Sequence, residues 1–374
     1  MKRLIICLVA FATSLSFIAL LAGPALSQAP VKGGATGKKA PPGKKGAEVP
    51  KSETAKSPDD LAKTTASIQW YATLSRGLAE AERTGKPILF VSGNPSCAGV
   101  SGMWCPGKGI IDSTFMFKAE VIEAAKKFVC IRLTTYEDAS EKAFIAKLVR
   151  GEVSNTSFSI LSPEGKPLLA LKGTGKGPGE YYSDSADMAK GMAAFAEKYT
   201  PKKIDGIPSL PIALSAKAGL VIAAADNQPL IVILAEDEKK QKELEAQVAE
   251  KAWSKDFQGR FVYATAGSMK ELPKVQGHSI TEGVVLIEPD MFGAGGKVVK
   301  QVSTAQVPEM LADSMTQVYR NFAPISKTRR ELAAKGLKEG IFYETGISVS
   351  GAGEAADRDR YKQQLDKQKS SSDK

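Results

Sequence analysis

Two segments of the chain share one pattern of apolar and polar positions. In each, a helical run ends at a polar turn, and a proline then opens a short apolar run. The segments are residues 77–91 and 219–233, and Gly, Leu, Ala and Pro recur in them at the same spacing. A short apolar run after a turn predicts a buried strand. The repetition therefore predicts that one fold occurs twice in the chain.

The first copy continues as alternating helices and strands. The pattern predicts helices over 67–83, 113–127, 139–149 and 186–199, strands over 88–91, 128–133, 157–161 and 167–171, and a turn at 162–165. Helices that alternate with strands place the chain in the α/β class.

The second copy repeats this order in part. Its pattern predicts strands over 229–233, 257–264 and 284–290 and helices over 236–251 and 307–322. No cysteine follows Cys130, so the second copy cannot exchange thiols. We expect it to bind a partner or to pack on the first copy.

Residues 1–27 have the layout of a secretory signal. Lys2 and Arg3 precede an apolar run over 4–21, and Ala25 and Ser27 are placed for cleavage before residue 28. The sequence therefore predicts an exported protein, periplasmic or extracellular. An uncleaved helix that anchors the chain is the alternative, because about 20 apolar residues can span a bilayer.

Composition divides the rest of the chain into two domains and two tails. The 374 residues are 43% hydrophobic and 25% charged, with a formal net charge of +10. We expect domains at 67–201 and 207–325, a disordered basic linker at 28–66 and a disordered charged tail at 348–374. The linker lysines could touch an anionic surface weakly, and we expect no nucleic acid partner.

Histidine and cysteine usage narrows the possible chemistry. His278 is the single histidine of the sequence, which argues against triad hydrolases and most zinc enzymes. We expect no metal and no cofactor. Removal of the signal would take Cys7 away and leave Cys97, Cys105 and Cys130. Cys130 lies in an apolar run, where a cysteine usually behaves as a small hydrophobic residue.

Cys97 and Cys105 lie instead in the glycine-rich connection 93–109, between the first predicted strand and the next helix. Loops that rigid elements hold in place are where proteins carry out chemistry. These two cysteines are therefore the candidate reactive groups.

Several features together resemble the exported thioredoxin-like domains of the thioredoxin superfamily. They are Trp70, the turn at 85–87 into an apolar strand, the Trp104-Cys105 pair, the strand start at 128–130 and the turn at 163–166. The resemblance covers residues 66–201 and extends more weakly to the second copy. It implies two tandem thioredoxin-like domains, each a central mixed sheet flanked by helices, between disordered N- and C-terminal tails.

The resemblance also implies roles for residues of the loop. The family pattern is Trp-Cys-x-x-Cys, with the first cysteine activated at a helix N-terminus. Cys105 takes the place of this nucleophile, and Lys108 stands where the second thiol belongs. Lys108 would favour the Cys105 thiolate by charge attraction. Cys97 could serve as the resolving cysteine, since the loop between the two cysteines contains glycines.

Trp104, Asn155 and Thr156 are the residues that the resemblance places along the substrate groove. The family has a cis-proline where this chain has Thr156. A cis bond before a residue other than proline costs about 2.5–4 kcal/mol, so we expect a trans bond and a reshaped groove.

Two functions remain open from the sequence. In one, Cys105 and Cys97 exchange disulfides with protein thiol clients. In the other, both copies form a binding scaffold of the cell envelope, and a Cys97–Cys105 disulfide is a structural staple.

Overall fold

The computed structural model describes residues 67–104, 115–150, 153, 156–169 and 177–347. All of them belong to one compact unit. We call the described residues from 67 to 200 the first half, residues 207–321 the second half and residues 322–347 the C-terminal segment. The predicted signal (1–27), basic linker (28–66) and charged tail (348–374) lie outside the described residues.

The first half alternates helices and strands. Its elements are α1 (Leu74–Thr84), β1 (Ile88–Gly93), β2 (Ser96–Cys97), β3 (Val100–Ser101), α2 (Ala119–Ala125), β4 (Val129–Leu133), α3 (Ala139–Val149), β5 (Thr156–Leu161) and α4 (Ser185–Ala196). Among the described residues, its main sheet has the order β4-β1-β5. The central strand β1 pairs parallel with β4 and antiparallel with β5.

The second half has a larger sheet. Its elements are α5 (Ala216–Asp226), β6 (Leu230–Leu234), α6 (Glu238–Ala252), β7 (Val262–Ala266), β8 (Val275–Gln276), β9 (Gly283–Pro289), β10 (Gly296–Ser303) and α7 (Val307–Asn321). The strand order in the described sheet is β7-β6-β9-β10-β8. Here β6 pairs parallel with β7 and antiparallel with β9, as β1 does with its two neighbours.

A matching glycine brings a helix close to the sheet in both halves. A Cβ on Gly77 of α1 would lie 2.5 Å from Ile131 Cδ1, and a Cβ on Gly219 of α5 would lie 2.9 Å from Ala264 Cβ. Ile131 and Ala264 are the third residues of β4 and β7. Mixed sheets flanked by helices, with these strand directions, are compatible with the thioredoxin-like fold.

One hydrophobic cluster joins the two halves. It contains Leu89 and Phe158 of the first half together with Leu230 and Val232 of the second half. Helix α5 contributes to this cluster and buries eight of its eleven residues, whereas α1 buries three. A helix that is apolar all round is typically buried on every side, and α5 fulfils that expectation.

The C-terminal segment returns to the first half and contains α8 (Arg329–Glu339). Thr328 and Glu331 form a reciprocal capping box at its start, and Gly340 ends it in the left-handed conformation with φ 68°. Leu332 and Leu337 of α8 pack on Val100 of β3. The segment thereby closes over the loop that follows β1.

The structure corrects two element boundaries predicted from the sequence. The predicted helix 67–83 begins at Leu74, because the residues before it run beside β4. Tyr71 N–H donates to Cys130 O at 2.8 Å, and Arg132 N–H donates to Tyr71 O at 2.9 Å. The predicted strand 257–264 begins at Val262, because the chain from 254 to 260 forms turns.

The remaining predicted elements of the described regions are present with shifts of a few residues, apart from the helix expected at 113–127 and the strand at 167–171. Among the described residues, the former region contains only α2, and the latter contains a single bridge from Leu161 to Pro167. In the part of the chain that the structure describes, every helix is too short or too polar to cross a lipid bilayer.

Candidate functional site

The described part of the cysteine loop begins as a tight hairpin. Strands β2 and β3 pair Cys97 with Val100, and Ala98 and Gly99 form the two-residue turn between them. Both turn residues have positive φ, 53° and 79°. This is the combination that a type I′ turn requires. The loop therefore leaves β1 as an ordered hairpin.

Cys97 is fully buried inside this hairpin region. Its exposed fraction is 0%, and it belongs to an apolar cluster with Val100, Phe292, Leu332 and Leu337. Phe292 comes from the second half, and both leucines come from α8. Solvent and large partners therefore do not reach Cys97 while the C-terminal segment is in place.

The C-terminal segment is held on the loop by close packing and by main-chain bonds. A Cβ on Gly336 of α8 would lie 2.2 Å from Val100 Cγ1, so the helix approaches the hairpin as closely as its backbone allows. Tyr343 N–H donates to Gly99 O at 2.9 Å. The Tyr343 hydroxyl donates to Glu137, and burial raises the pKa of that carboxyl.

Trp104, the last described residue before Cys105, is buried and held by two kinds of contact. Its ring Nε1–H donates to Asp226 Oδ1 at 2.7 Å. The Arg132 guanidinium lies over its ring face, 4.4 Å from the ring centre. Because one contact acts at the ring edge and the other at its face, the ring is fixed in position and orientation.

Arg132 and Asp226 form a buried ion pair between the two halves. The Arg132 side chain is 5% exposed and that of Asp226 is 10% exposed. Arg132 Nη1 donates to Asp226 Oδ1 at 2.9 Å, and Nη2 donates to Oδ2. Such a bidentate pair fixes geometry, and the loss of one partner would leave a buried charge uncompensated.

Thr156 lies next to the start of the loop. It is the first residue of β5, it is buried, and it pairs with Gly93 at the end of β1. Thr156 and the start of the loop therefore lie at the same end of β1. Trp104 packs in the shared hydrophobic cluster, whereas Cys97 belongs to the separate cluster under α8. Cys105, Lys108 and Asn155 lie outside the described residues.

A second polar group lies in the interior of the first half. Glu141 Oε1 accepts from Leu74 N–H at 2.7 Å, and no described residue bonds to its Oε2. Burial raises the pKa of Glu141 to about 7, and the nearby Asp138 and Glu137 charges add to the effect. The carboxyl therefore titrates near neutral pH. It lies in the first turn of α3, the helix that follows β4.

Cys130 behaves as the sequence predicts for a cysteine in an apolar strand. It is buried in the shared hydrophobic cluster, and its Sγ lies 3.6 Å from Ala125 O. Burial raises the pKa of its thiol to about 12. Cys130 is therefore a packing residue.

Neither Arg132 nor Asp226 is predicted from the sequence to have a role in the site. A signal for Arg132 was present, since it is a lone charge in the apolar run 128–133 and a buried arginine needs a partner. Asp226 likewise ends an otherwise apolar helical run. Their pairing over 94 residues of sequence could not be predicted from either signal alone.

Comparisons with known proteins identify no family for this chain. No family model matches it, and no curated protein matches it. Two solved structures of human ERp44 are similar to it at low TM-score: the zinc-bound form at 13% identity and TM-score 0.21, and form I at 11% identity and TM-score 0.19. They cover 69% and 74% of this chain, which spans 58% and 62% of theirs.

Proposed function

We propose that this protein is an exported thiol-disulfide exchange protein in which Cys105 attacks and Cys97 resolves. The observation that carries the proposal is the fixed position of Trp104. This residue directly precedes Cys105 and is held beside β4 by Arg132 and against the second half by Asp226. A cysteine that follows such an anchored residue starts from a defined place, as exchange chemistry requires.

The proposed reaction has two steps. The Cys105 thiolate attacks one sulfur of a client disulfide, a mixed disulfide forms, and the other client sulfur leaves as a thiolate. The Cys97 thiolate then attacks Cys105 Sγ, which forms the Cys97–Cys105 disulfide and releases the second client thiolate. The client gains two electrons and the cysteine pair loses them. The same steps in reverse oxidise a client dithiol.

The burial of Cys97 fits the resolving role. A resolving thiol reacts only with the neighbouring cysteine, so it needs no access to the client. The apolar cluster around Cys97 keeps client sulfurs away from it. Client attack is thereby restricted to Cys105.

The same burial also favours a second candidate function. A disulfide sealed under α8 would resist reduction, and the protein would then be a non-catalytic thioredoxin-like scaffold of the cell envelope with protein partners. The shared core supports this candidate, because the cysteine-free second half is packed on the first.

A redox titration of the full chain distinguishes the two functions. We expect a Cys97–Cys105 reduction potential above about −300 mV, in the range of exchangeable bonds. Mass spectrometry of the Cys97→Ser variant with oxidised glutathione should then show a mixed disulfide trapped on Cys105. Cys130→Ala is the matched control and should leave both results unchanged. A potential below about −300 mV, with no adduct on Cys105, would support the scaffold instead.

A further inference from the structure

A cleft lies where the two halves and the C-terminal segment meet. Its volume is about 800 Å³, within the range of small-molecule sites. The first half contributes Ser101 and Thr134, the second half contributes the start of α5 and the connection before β8, and the C-terminal segment contributes residues 339–346. Cys97 and Trp104 do not line the cleft, so it is a feature separate from the candidate thiol site.

Two buried hydroxyl groups on the wall of the cleft make no hydrogen bond to any described residue. They belong to Ser101, which is 4% exposed, and to Thr134, which is 2% exposed. Since side chains alternate along a strand, Ser101 points away from Val100, which packs under α8. Thr134 comes two residues after Arg132 and shares its side of the sheet, which faces α5. Buried polar groups are normally hydrogen-bonded, so the two hydroxyls indicate a polar ligand.

The first turn of α5 adds main-chain donors to the cleft. Ser215 Oγ accepts from Ala218 N–H at 3.1 Å and so satisfies one of them. The N–H groups of Ala216 and Lys217 have no acceptor in the part of the chain that the structure describes. Ser215, Lys217 and Ala218 line the cleft. The start of a helix of 11 residues presents partial positive charge, and anions bind there.

Three of the four carboxylates that line the cleft already have donors. Glu344 pairs with Lys217. Glu137 accepts from a tyrosine hydroxyl, and Glu271 accepts from a main-chain N–H at 2.7 Å. The cleft therefore has little negative charge left to repel an anion.

The remaining charged side chains of the cleft are Lys270, Lys274 and Glu339, which leave one net positive charge. Among the described residues, no arginine lines the cleft, although arginine is the side chain that matches a phosphate dianion best. A single positive charge suits a monocarboxylate. Leu220 and Val221 of α5 also line the cleft and offer an apolar surface beside the charged one.

We propose that this cleft binds a small organic acid. The carboxylate lies at the start of α5, where the open N–H groups, the Thr134 hydroxyl and the Lys274 ammonium group supply its donors. The apolar part of the acid packs against Leu220 and Val221. The proposal does not depend on thiol exchange, because no cysteine contributes to the cleft.

Hexanoate is the probe for a first test. We would titrate it into the full chain labelled with ¹⁵N and follow the amide signals of Ala216 and Lys217. Hexanoate at millimolar concentration should shift both signals in a saturable way. Hexanamide has the same chain without the charge and should not shift them. Inorganic phosphate should bind more weakly than hexanoate.

Lys274→Gln tests the charge. The variant should weaken hexanoate binding about threefold to fivefold, which is the contribution of an exposed ion pair. Lys255→Gln is the matched control, because it removes the same charge from an exposed position outside the cleft. It should leave the affinity unchanged.

Thr134→Val tests the buried hydroxyl. The variant should weaken hexanoate binding several-fold, while the ligand-free chain keeps its stability in urea or gains some, because the lost hydroxyl has no protein partner. A purely structural role would lower the stability instead. Thr316→Val is the control, since the Thr316 hydroxyl donates to Ala312 O at 2.9 Å within α7, away from the cleft. If Thr134→Val does not fold, Ser101→Ala takes its place with the same expectation for binding.

The blocked dipeptide N-acetyl-alanyl-leucine identifies the source of the carboxylate. Tighter binding of the dipeptide than of hexanoate would indicate the carboxyl end of a peptide, and tighter binding of hexanoate would indicate a free acid. Equal shifts with hexanoate and hexanamide, tighter binding of phosphate, or unchanged affinity in both Lys274→Gln and Thr134→Val would each overturn the proposal.

Discussion

Helices α1 and α5 begin the two halves in the same way but have different surroundings. Both pack a glycine on the strand parallel to the central strand. Yet α1 covers one side of its sheet and remains partly exposed, whereas α5 lies inside the shared cluster and buries eight of its eleven residues. One supersecondary unit can therefore serve as an outer layer or as a central layer, depending on whether its helix is apolar all round.

The halves differ again after the central strand. In the second half, β6 leads directly to α6, and Asp237 caps that helix by accepting from Lys240 N–H at 2.9 Å. In the first half, β1 leads into the β2–β3 hairpin, which packs on Phe292 and on α8. The loop that contains the cysteines therefore also contributes to the contact between the halves.

The largest expected effect comes from Gly102→Val. Gly102 has φ 94°, and a Cβ would lie 2.4 Å from Met291 O and 2.7 Å from Phe292 Cα, both main-chain atoms. The substitution should lower the free energy of unfolding by about 4 kcal/mol or more, measured by urea denaturation. Gly206→Val is the control, since Gly206 has φ 101° and nothing lies within 4 Å. It should cost only about 1–2 kcal/mol of backbone strain. Similar losses for the two variants would contradict the close approach of the halves.

Glu141→Gln should have the next largest effect, and its sign depends on pH. The pKa of Glu141 is about 7 in the folded chain and about 4.3 in an unfolded one. The folded state keeps a proton that the unfolded state releases, so wild-type stability falls as pH rises from about 4.5 to 7. The glutamine variant lacks this loss and should be more stable by about 3–4 kcal/mol at pH 8, with little difference at pH 4.5.

Urea denaturation at several pH values checks this result. Glu309→Gln is the matched control, because Glu309 is also in the first turn of its helix but is exposed. It should leave the pH profile unchanged. If the free energy of unfolding changed with pH in the same way for Glu141→Gln and the wild type, Glu141 would not be the group responsible for the pH dependence.

Gly77→Ala and Gly219→Ala test whether both glycines are needed for the close approach of their helix to the sheet. Alanine favours a helix over glycine by about 1 kcal/mol, but its Cβ would overlap Ile131 in one half and Ala264 in the other. We expect each variant to lose about 1–2 kcal/mol in thermal or urea unfolding. A gain in stability for either one would mean that its helix can move off the sheet freely.

Cys130→Ala should give the smallest effect. The substitution leaves a small space in the shared cluster and should cost about 1 kcal/mol. Because burial raises the pKa of the Cys130 thiol to about 12, iodoacetamide at pH 8 should label it only in denaturant. Labelling of Cys130 in the native chain would show that the shared cluster opens.

The sequence predicts local elements of this protein better than it predicts the contacts between them. The spacing of apolar residues places α3 at its observed bounds and most other elements within a few residues, because local burial patterns determine them. Helix α8 carries a readable signal, Thr328 with Glu331 three residues later and Gly340 at the end, which the pattern of apolar residues did not reveal.

The start of the first half shows why the rest could not be predicted. Residues 68–73 have a helical pattern, but the hydrogen bonds between Tyr71 and β4 make them extended. The candidate site could be predicted only in part, for the same reason. Cys97 and Thr156 could be proposed from the local sequence. The Arg132–Asp226 pair and the packing of α8 over Cys97 could not, because they depend on contacts between residues about 100 to 240 positions apart.

The burial of α5 in the shared cluster has a consequence for how the protein unfolds. Since its side chains belong to the cluster that both halves share, the chain should melt in a single cooperative transition rather than half by half. A protease cut in the exposed connection at 201–207 would then leave two fragments that stay associated. Neither fragment would remain folded once separated, because each would expose the apolar side chains that it now contributes to the shared cluster.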